Sequence, residues 1–162
     1  MKRFSMSFPL PFILALSFFM GESGNAQSLF QAMPSSSTGI TFENTLPETP
    51  ALNIITYEYF YNGGGVAIAD LNGDQLNDLF FTASQSDNSL YINNGNFKFT
   101  ETSKISGTQK PSNQFWSSGV TILDINLDGK QDIYVCNTLN GKADYRKNFL
   151  YINNGNKSNG TP

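Results

Sequence analysis

The chain contains no histidine, and its only cysteine is Cys136. Without imidazole there is no histidine general base, no Ser/His or Cys/His nucleophile pair, and none of the commonest zinc ligand. One cysteine excludes an intrachain disulfide and any multi-thiolate metal site. Charge is also sparse: charged residues make up 14% of 162 residues, the net charge is −3, and the ten basic residues are scattered. A nucleic-acid surface needs a positive footprint that this chain lacks. Long apolar runs are missing too. The longest, residues 8–20, has 13 residues and follows Lys2 and Arg3. That is short of the roughly 20 a membrane-spanning helix requires, and Pro9 and Pro11 interrupt it.

What the N-terminus does have is the layout of a secretory signal over residues 1–26. A positive start leads into the apolar stretch, and Gly24-Asn25-Ala26 places small residues where cleavage after Ala26 is expected. No cysteine follows to carry a lipid, and no membrane span remains after cleavage. The expected location is therefore secreted, periplasmic or cell-surface.

Aromatic residues reach 14%, beside 14 glycines and 19 asparagines. Aromatics fill strands and Asn-Gly pairs make turns, so the composition suits an all-β domain. Six of the 13 carboxylates lie in two nine-residue stretches, 70–78 and 124–132. In the second, Asp124, Asn126, Asp128 and Asp132 put oxygen-bearing side chains at positions one, three, five and nine between hydrophobic segments. Only Lys130 offers any offsetting charge, and such a cluster repels itself unless a cation sits within it. Ca²⁺ takes about 6–8 oxygen ligands, and a tight loop with acidic or amide side chains at alternate positions can turn several inward. The carbonyl of Lys130 can supply position seven, and Gly129 stands where the loop must bend sharply.

The first stretch repeats this pattern as Asp70, Asn72, Asp74 and Asp78, with the carbonyl of Leu76 at position seven. The loops are 54 residues apart, and Tyr91-Ile92-Asn93-Asn94-Gly95-Asn96 recurs letter for letter 60 residues later at 151–156. The six-residue difference fits an insertion within 137–147. An internal repeat of this length points to propeller blades or a related array. One difference separates the loops: glycine stands at position four in the first (Gly73) and at position six in the second (Gly129). Gln75, at position six, is expected to adopt the turn only at a backbone cost.

Gly-Val-Ala-Ile-Ala-Asp-Leu-Asn-Gly-Asp with Asp78, and Gly-Val-Thr-Ile-Leu-Asp-Ile-Asn-Leu-Asp-Gly with Asp132, resemble FG-GAP/VCBS repeats, the calcium-binding blades of integrin-α-like β-propellers. Over residues 38–156 the chain is similar to the N-terminal part of bacterial secreted VCBS-repeat proteins that often end in an ASPIC/UnbV domain. The resemblance implies a fold of four-stranded antiparallel blades in a partial, incomplete β-propeller. It also implies Ca²⁺ as cofactor, held by Asp70, Asn72, Asp74, Leu76 and Asp78 and by Asp124, Asn126, Asp128, Lys130 and Asp132. The family commonly has glycine at both bend positions, which this chain does not.

The expected organisation is a linker and first short strand over 27–50, with Ser35–Ser37 as linker and 39–43 as strand, then a repeat region over 51–162. Residues 52–61 read as a strand or a covering loop. The glycine run 63–65 suits positive φ and close backbone approach at the entry to a tightly packed inner strand. Blade one (about 63–103) is expected to have strands at 66–69, 79–83, 89–92 and 96–101, the first buried and the last half-exposed, with a hairpin turn at 93–96. Residues 104–113 form a polar connection. Blade two (about 116–162) is expected to have strands at 120–123, 133–137 and 148–152, with Cys136 a small core side chain and Trp116 packed between blades. Its fourth strand has no counterpart, and since propellers close with about 4–8 blades, a fragment of a longer protein is expected.

The function expected is that of an exported calcium-binding propeller segment, a non-catalytic adhesion or recognition module whose ligand is an extracellular protein or glycan. The alternative is an accessory propeller of a larger secreted enzyme or polysaccharide-handling protein, with Trp116, Tyr57 and Tyr61 available to stack on sugar rings. A third reading, an Asp-based hydrolase with calcium as Lewis acid, would need an open coordination position in a cleft.

Overall fold

The computed structural model describes residues 28–138, 143–158 and 160–162. The signal segment lies outside them. The chain divides into two units, Met1–Ala32 and Met33–Pro162. In the first, the described residues 28–32 carry no helix or strand. Among the described residues no helix is long and apolar enough to cross a membrane.

The second unit holds two antiparallel sheets. Sheet one has four strands in sequential order: β1 (Val66–Ala69), β2 (Asp78–Phe81), β3 (Ser89–Asn93) and β4 (Phe99–Glu101). Sheet two has three: β5 (Trp116–Leu123), β6 (Asp132–Thr138) and β7 (Phe149–Tyr151). The registers coincide across the repeat: Ala69 pairs with Asp78 and Leu123 with Asp132, so each acidic loop is the hairpin between the first two strands of its sheet. The sheets share one core of Ala67, Leu71, Phe80, Leu90, Ile92, Ile133 and Val135. Fully burying a side chain such as Phe80 contributes about 1.5–3 kcal/mol.

The glycine run does what its composition requires. A Cβ on Gly64 would lie 2.0 Å from the carbonyl oxygen of Thr82, and one on Gly65 would lie 2.9 Å from that of Ser118. Close approach lets the Gly65 amide donate to Thr82 Oγ1 at 2.6 Å, while that hydroxyl donates to Ser118 O at 2.8 Å. One threonine thus ties the two sheets together.

Several expectations are corrected. Ser35–Thr38 is a one-turn helix, α1, ending at Gly39 with φ 81°. Residues 39–43 form no strand; their role is to cover sheet one, with Phe42 stacked on Phe81 at 4.9 Å and the Thr41 amide donating to Tyr91 Oη. Residues 52–61, read as a strand or a covering loop, form turns that bury Tyr57 and Phe60 against Trp116, so Trp116 packs on this segment and not between the two sheets as expected. β1 is not buried on both sides: Ala67 is buried while Val66 and Ile68 are exposed. The turn after β3 runs longer than four residues, because Gly95, Asn96 and Phe97 all have positive φ and Asn94 N donates to Lys98 O. Phe97 is therefore exposed and β4 starts only at Phe99. The connection after β4 contains a one-turn helix, α2 (Ser103–Ser106). β5 begins at Trp116, earlier than expected, and carries a bulge between Ser117 and Val120. Cys136 is exposed on β6, not in the core. The insertion includes a 3₁₀ turn at Ala143–Arg146; residues 139–142 lie outside the described set.

Lys110, in the polar connection, is buried and its ammonium donates to the carbonyls of Ala83, Ser84 and Phe115 at 3.1, 3.1 and 2.9 Å. Burial pushes it down from 10.5 to about 8, while Asp87 and the three carbonyls favour the charged form. Between these values the unfolded chain binds the proton and the folded chain releases it, so stability rises with pH, by at most about 3 kcal/mol. Tyr151 acts in the opposite sense: burial raises it from 10 to about 12, so the unfolded chain ionises first and stability falls above pH 10. Denaturant unfolding between pH 7 and 12 is expected to show a maximum near pH 10, and Lys110→Met is expected to remove the rising limb. A flat profile below pH 10 would refute this.

Candidate metal centres

Each loop is wound around its first aspartate. In the first, Asp70 Oδ1 accepts from the amides of Gly73 and Asp74 at 2.7 and 3.1 Å, and Oδ2 from Gln75 at 2.8 Å. In the second, Asp124 Oδ1 accepts from Asp128 N at 3.1 Å and Oδ2 from Gly129 N at 2.8 Å. Positions three and five repeat as well. Asn72 Oδ1 and Asn126 Oδ1 accept from the amides of Asp74 and Asp128, and the Asn72 and Asn126 side-chain amides donate to the position-five carboxylates. Those carboxylates in turn accept from Leu76 N and Lys130 N at 2.8 and 2.9 Å.

Both loops need left-handed backbone at positions four and six, and each supplies one glycine and one strained residue. φ is 78° at Gly73 and 70° at Gln75 in the first loop, and 60° at Leu127 and 82° at Gly129 in the second. The cost expected at Gln75 is present, and Leu127, which takes the place of glycine at position four of the second loop, shares it. The left-handed region costs a side-chain-bearing residue about 1–2 kcal/mol, against about 0.5–1 kcal/mol for the extra freedom glycine loses on folding. Leu127 is also exposed and forfeits little packing. Leu127→Gly is therefore expected to raise stability by about 0.5–1 kcal/mol, seen as a melting temperature higher by about 2–3 °C. A lower transition would refute the strain assignment.

Position nine differs from the rest. Asp78 and Asp132 are completely buried, and each joins three parts of its sheet. Asp78 Oδ2 accepts from Leu71 N at 2.9 Å and Oδ1 from Asn93 N at 2.8 Å; Asp132 makes the same pair of bonds to Ile125 N at 3.0 Å and Asn153 N at 2.8 Å. Burial raises Asp78 above the usual carboxylate range, the two amides oppose the shift, and the negative charges of Asp74 and Asp70 add to it. Asp128 moves the other way, because Lys130 Nζ sits 2.9 Å from its Oδ2.

The donor set suits a hard divalent cation: positions one, three, five and nine all carry side-chain oxygens, and each loop carries three carboxylates. Asp70 Oδ1 and Asn72 Oδ1 both lie 3.1 Å from the Asp74 amide, so positions one and three are already drawn together. A closed cage is not preformed. Among the described residues no three Asp, Glu, His or Cys side chains converge closely enough to hold a metal ion. The carboxylates are instead engaged by amides, and in the second loop also by the Lys130 ammonium.

The recurrent Asn-Asn-Gly-Asn turns carry a role beyond the turn chemistry expected of them. Asn93 Oδ1 does accept from Gly95 N, but its side-chain amide donates to Asn77 O at 2.9 Å, bracing the loop. Asn153 goes further: its side-chain amide reaches Gln131 O at 3.3 Å and Leu71 O of the other loop at 2.8 Å. The letter-for-letter repetition of six residues was the available signal, since a turn alone does not demand it. The two loops consequently face one cleft of about 600 Å³ lined by Asp70, Asn72, Lys130 and Asn153.

Residues 70–135 match the family model of the FG-GAP-like repeat. The match runs from the first residue of the first loop to the middle of β6, so both acidic loops fall inside it. Comparison with curated proteins gives no match.

The residues expected to stack on sugars are mostly withdrawn from solvent. Trp116 and Tyr57 are buried in edge-to-face contact at 5.3 Å, which leaves Tyr61 exposed, with its hydroxyl donating to Glu48. Packing, not ligand stacking, accounts for the first two.

Proposed function

We propose that this chain is a calcium-stabilised segment of an exported β-propeller, acting as a non-catalytic recognition or adhesion module. The observation that carries the proposal is the duplicated loop geometry: two hairpins 54 residues apart with the same oxygen donors, the same bends and three carboxylates each. Ca²⁺ would be held by Asp70, Asn72, Asp74, Asp78 and the Leu76 carbonyl, and by Asp124, Asn126, Asp128, Asp132 and the Lys130 carbonyl. Its contribution is charge neutralisation in each loop. The chain's own residues do the rest: Asp78 and Asp132 anchor the loops to β3 and β7, and Asn153 braces one loop against the other. Mg²⁺ suits the site less well, since it demands stricter octahedral geometry.

The signal layout over residues 1–26 supports export to a compartment rich enough in calcium to fill weak loops. The absence of histidine and of a nucleophile–base pair in the sequence supports the non-catalytic reading. Calcium titrated into chelated protein is expected to bind at two sites with affinities of about 10⁻⁴–10⁻³ M, typical of extracellular modules. Absence of binding heat, with an unshifted thermal transition, would overturn the proposal.

A further inference from the structure

Six Asn-Gly pairs occur in the chain, at 62–63, 72–73, 94–95, 140–141, 154–155 and 159–160. Such a pair can react within itself. The glycine nitrogen loses its proton and attacks Cγ of the asparagine, the new C–N bond closes a cyclic imide, and Nδ2 leaves as ammonia. Water then opens the ring at either carbonyl and leaves aspartate or isoaspartate. Glycine is the favourable neighbour because it has no side chain to hinder closure. In a folded chain the reaction needs two groups to be free, the glycine N–H and the asparagine side chain.

Three of the described pairs are held at both groups. Gly73 N donates to Asp70 Oδ1 at 2.7 Å and Asn72 Nδ2 to Asp74 Oδ2 at 2.9 Å. Gly95 N donates to Asn93 Oδ1 at 2.9 Å and Asn94 Nδ2 to Thr100 Oγ1 at 2.9 Å. Gly155 N donates to Asn153 Oδ1 at 2.9 Å and Asn154 Nδ2 to Ile152 O at 3.3 Å. The pair in the turn between residues 52–61 and β1 differs. Among the described residues, neither the Asn62 side chain nor the Gly63 amide has a partner; Asn62 N donates to Tyr59 O at 3.2 Å, but that nitrogen takes no part in the ring. Asn62 is exposed, and nothing lies within 4 Å of the point where a Gly63 Cβ would stand, so the ring and the attacking water have room.

We propose that Asn62 is a site of spontaneous deamidation, the one the fold leaves reactive among the four described Asn-Gly pairs. Conversion adds a negative charge, and the isoaspartate product also routes the main chain through the side chain, lengthening it by a methylene. The change falls beside Gly64 and Gly65, which are seated without spare room against Thr82 and Ser118, so the chain acquires an age mark at the joint that positions β1. The reaction depends on neither metal nor export.

Incubation of the folded chain at mildly alkaline pH, followed by tandem mass spectrometry of chymotryptic peptides, tests this. Each hydrogen bond that must break first is expected to slow closure by roughly two- to tenfold, so Asn62 should convert about tenfold or more faster than Asn72, Asn94 or Asn154. The product is expected as a more acidic isoform that Asn62→Gln does not form. In urea all these pairs should convert at similar rates, because the restraints are gone. Asn93→Ala, which removes the acceptor of the Gly95 amide, is expected to make Asn94 reactive in the folded protein; should that variant fail to fold, the urea comparison carries the same test. Equal rates at the four pairs in folded protein, an unchanged Asn62, or a lead for Asn62 that persists in urea would each overturn the proposal.

Discussion

Asp132→Ala is expected to lower the unfolding free energy by about 3–5 kcal/mol, and to do so in chelator as well as in calcium. The carboxylate is completely buried and accepts from two backbone amides far apart in the chain, Ile125 at the loop entry and Asn153 two residues beyond β7. Truncation strands both amides without a partner and opens a void at the hairpin base. Each stranded donor costs about 1–3 kcal/mol, more when the lost acceptor was charged. Asp78→Ala is expected to behave alike through Leu71 and Asn93.

Asn in the same place is the sharper probe, because it keeps the volume. Its oxygen can serve one amide, but its NH₂ group must then face the other, donor against donor. Asp132→Asn is therefore expected to recover less than half of the stability lost by the alanine variant, as read by urea unfolding in chelator. Near-complete recovery would show that shape, not the acceptor pair, is what the position provides. The chelator condition matters: a loss appearing only when calcium is present would make Asp132 a metal ligand without this anchoring role.

These anchors mark where sequence reading succeeded and where it stopped. The loops were legible because cation binding and tight turning both need oxygen and glycine at fixed intervals, and those letters recur 54 residues apart. Five of the seven strands lie within two residues of their expected bounds, and four strands, β1, β2, β5 and β6, are the apolar segments that adjoin the loops. What could not be read was partnership across distance. Asp78 and Asp132 look like any ligand in a nine-residue string, yet their bonds to Asn93 and Asn153 span 15 and 21 residues. Residues 39–43 have strand composition but cover a sheet face instead, with Phe42 stacked on Phe81. Val66, Ile68 and Cys136 have core chemistry and are exposed. Composition records what a residue prefers and cannot record whether anything is there to meet it.

Removing calcium is expected to lower the melting temperature by about 10 °C or more, and restoring it to reverse the shift. A ligand that binds only the folded chain stabilises it by about 2.7 kcal/mol when present at 100 times its dissociation constant, and two independent loops double that. At about 2–4 °C per kcal/mol for a chain of this size, the sum gives a shift of about 10–20 °C. The two loops should not contribute equally. Lys130 already neutralises part of Asp128, so an ion entering the second loop displaces an existing charge pair, whereas the first loop has no such ammonium. Lys130→Met is therefore expected to weaken the chelated protein slightly and to enlarge its response to calcium, while Asp70→Asn and Asp124→Asn should each remove roughly half of that response. Magnesium at equal concentration is expected to give a much smaller shift, since it gives up water reluctantly and fits poorly to a loop of this curvature. If all four proteins melt at the same temperature in chelator and in calcium, the loops are turns held by their own amides, and the carboxylates at positions one and five serve only to cap them.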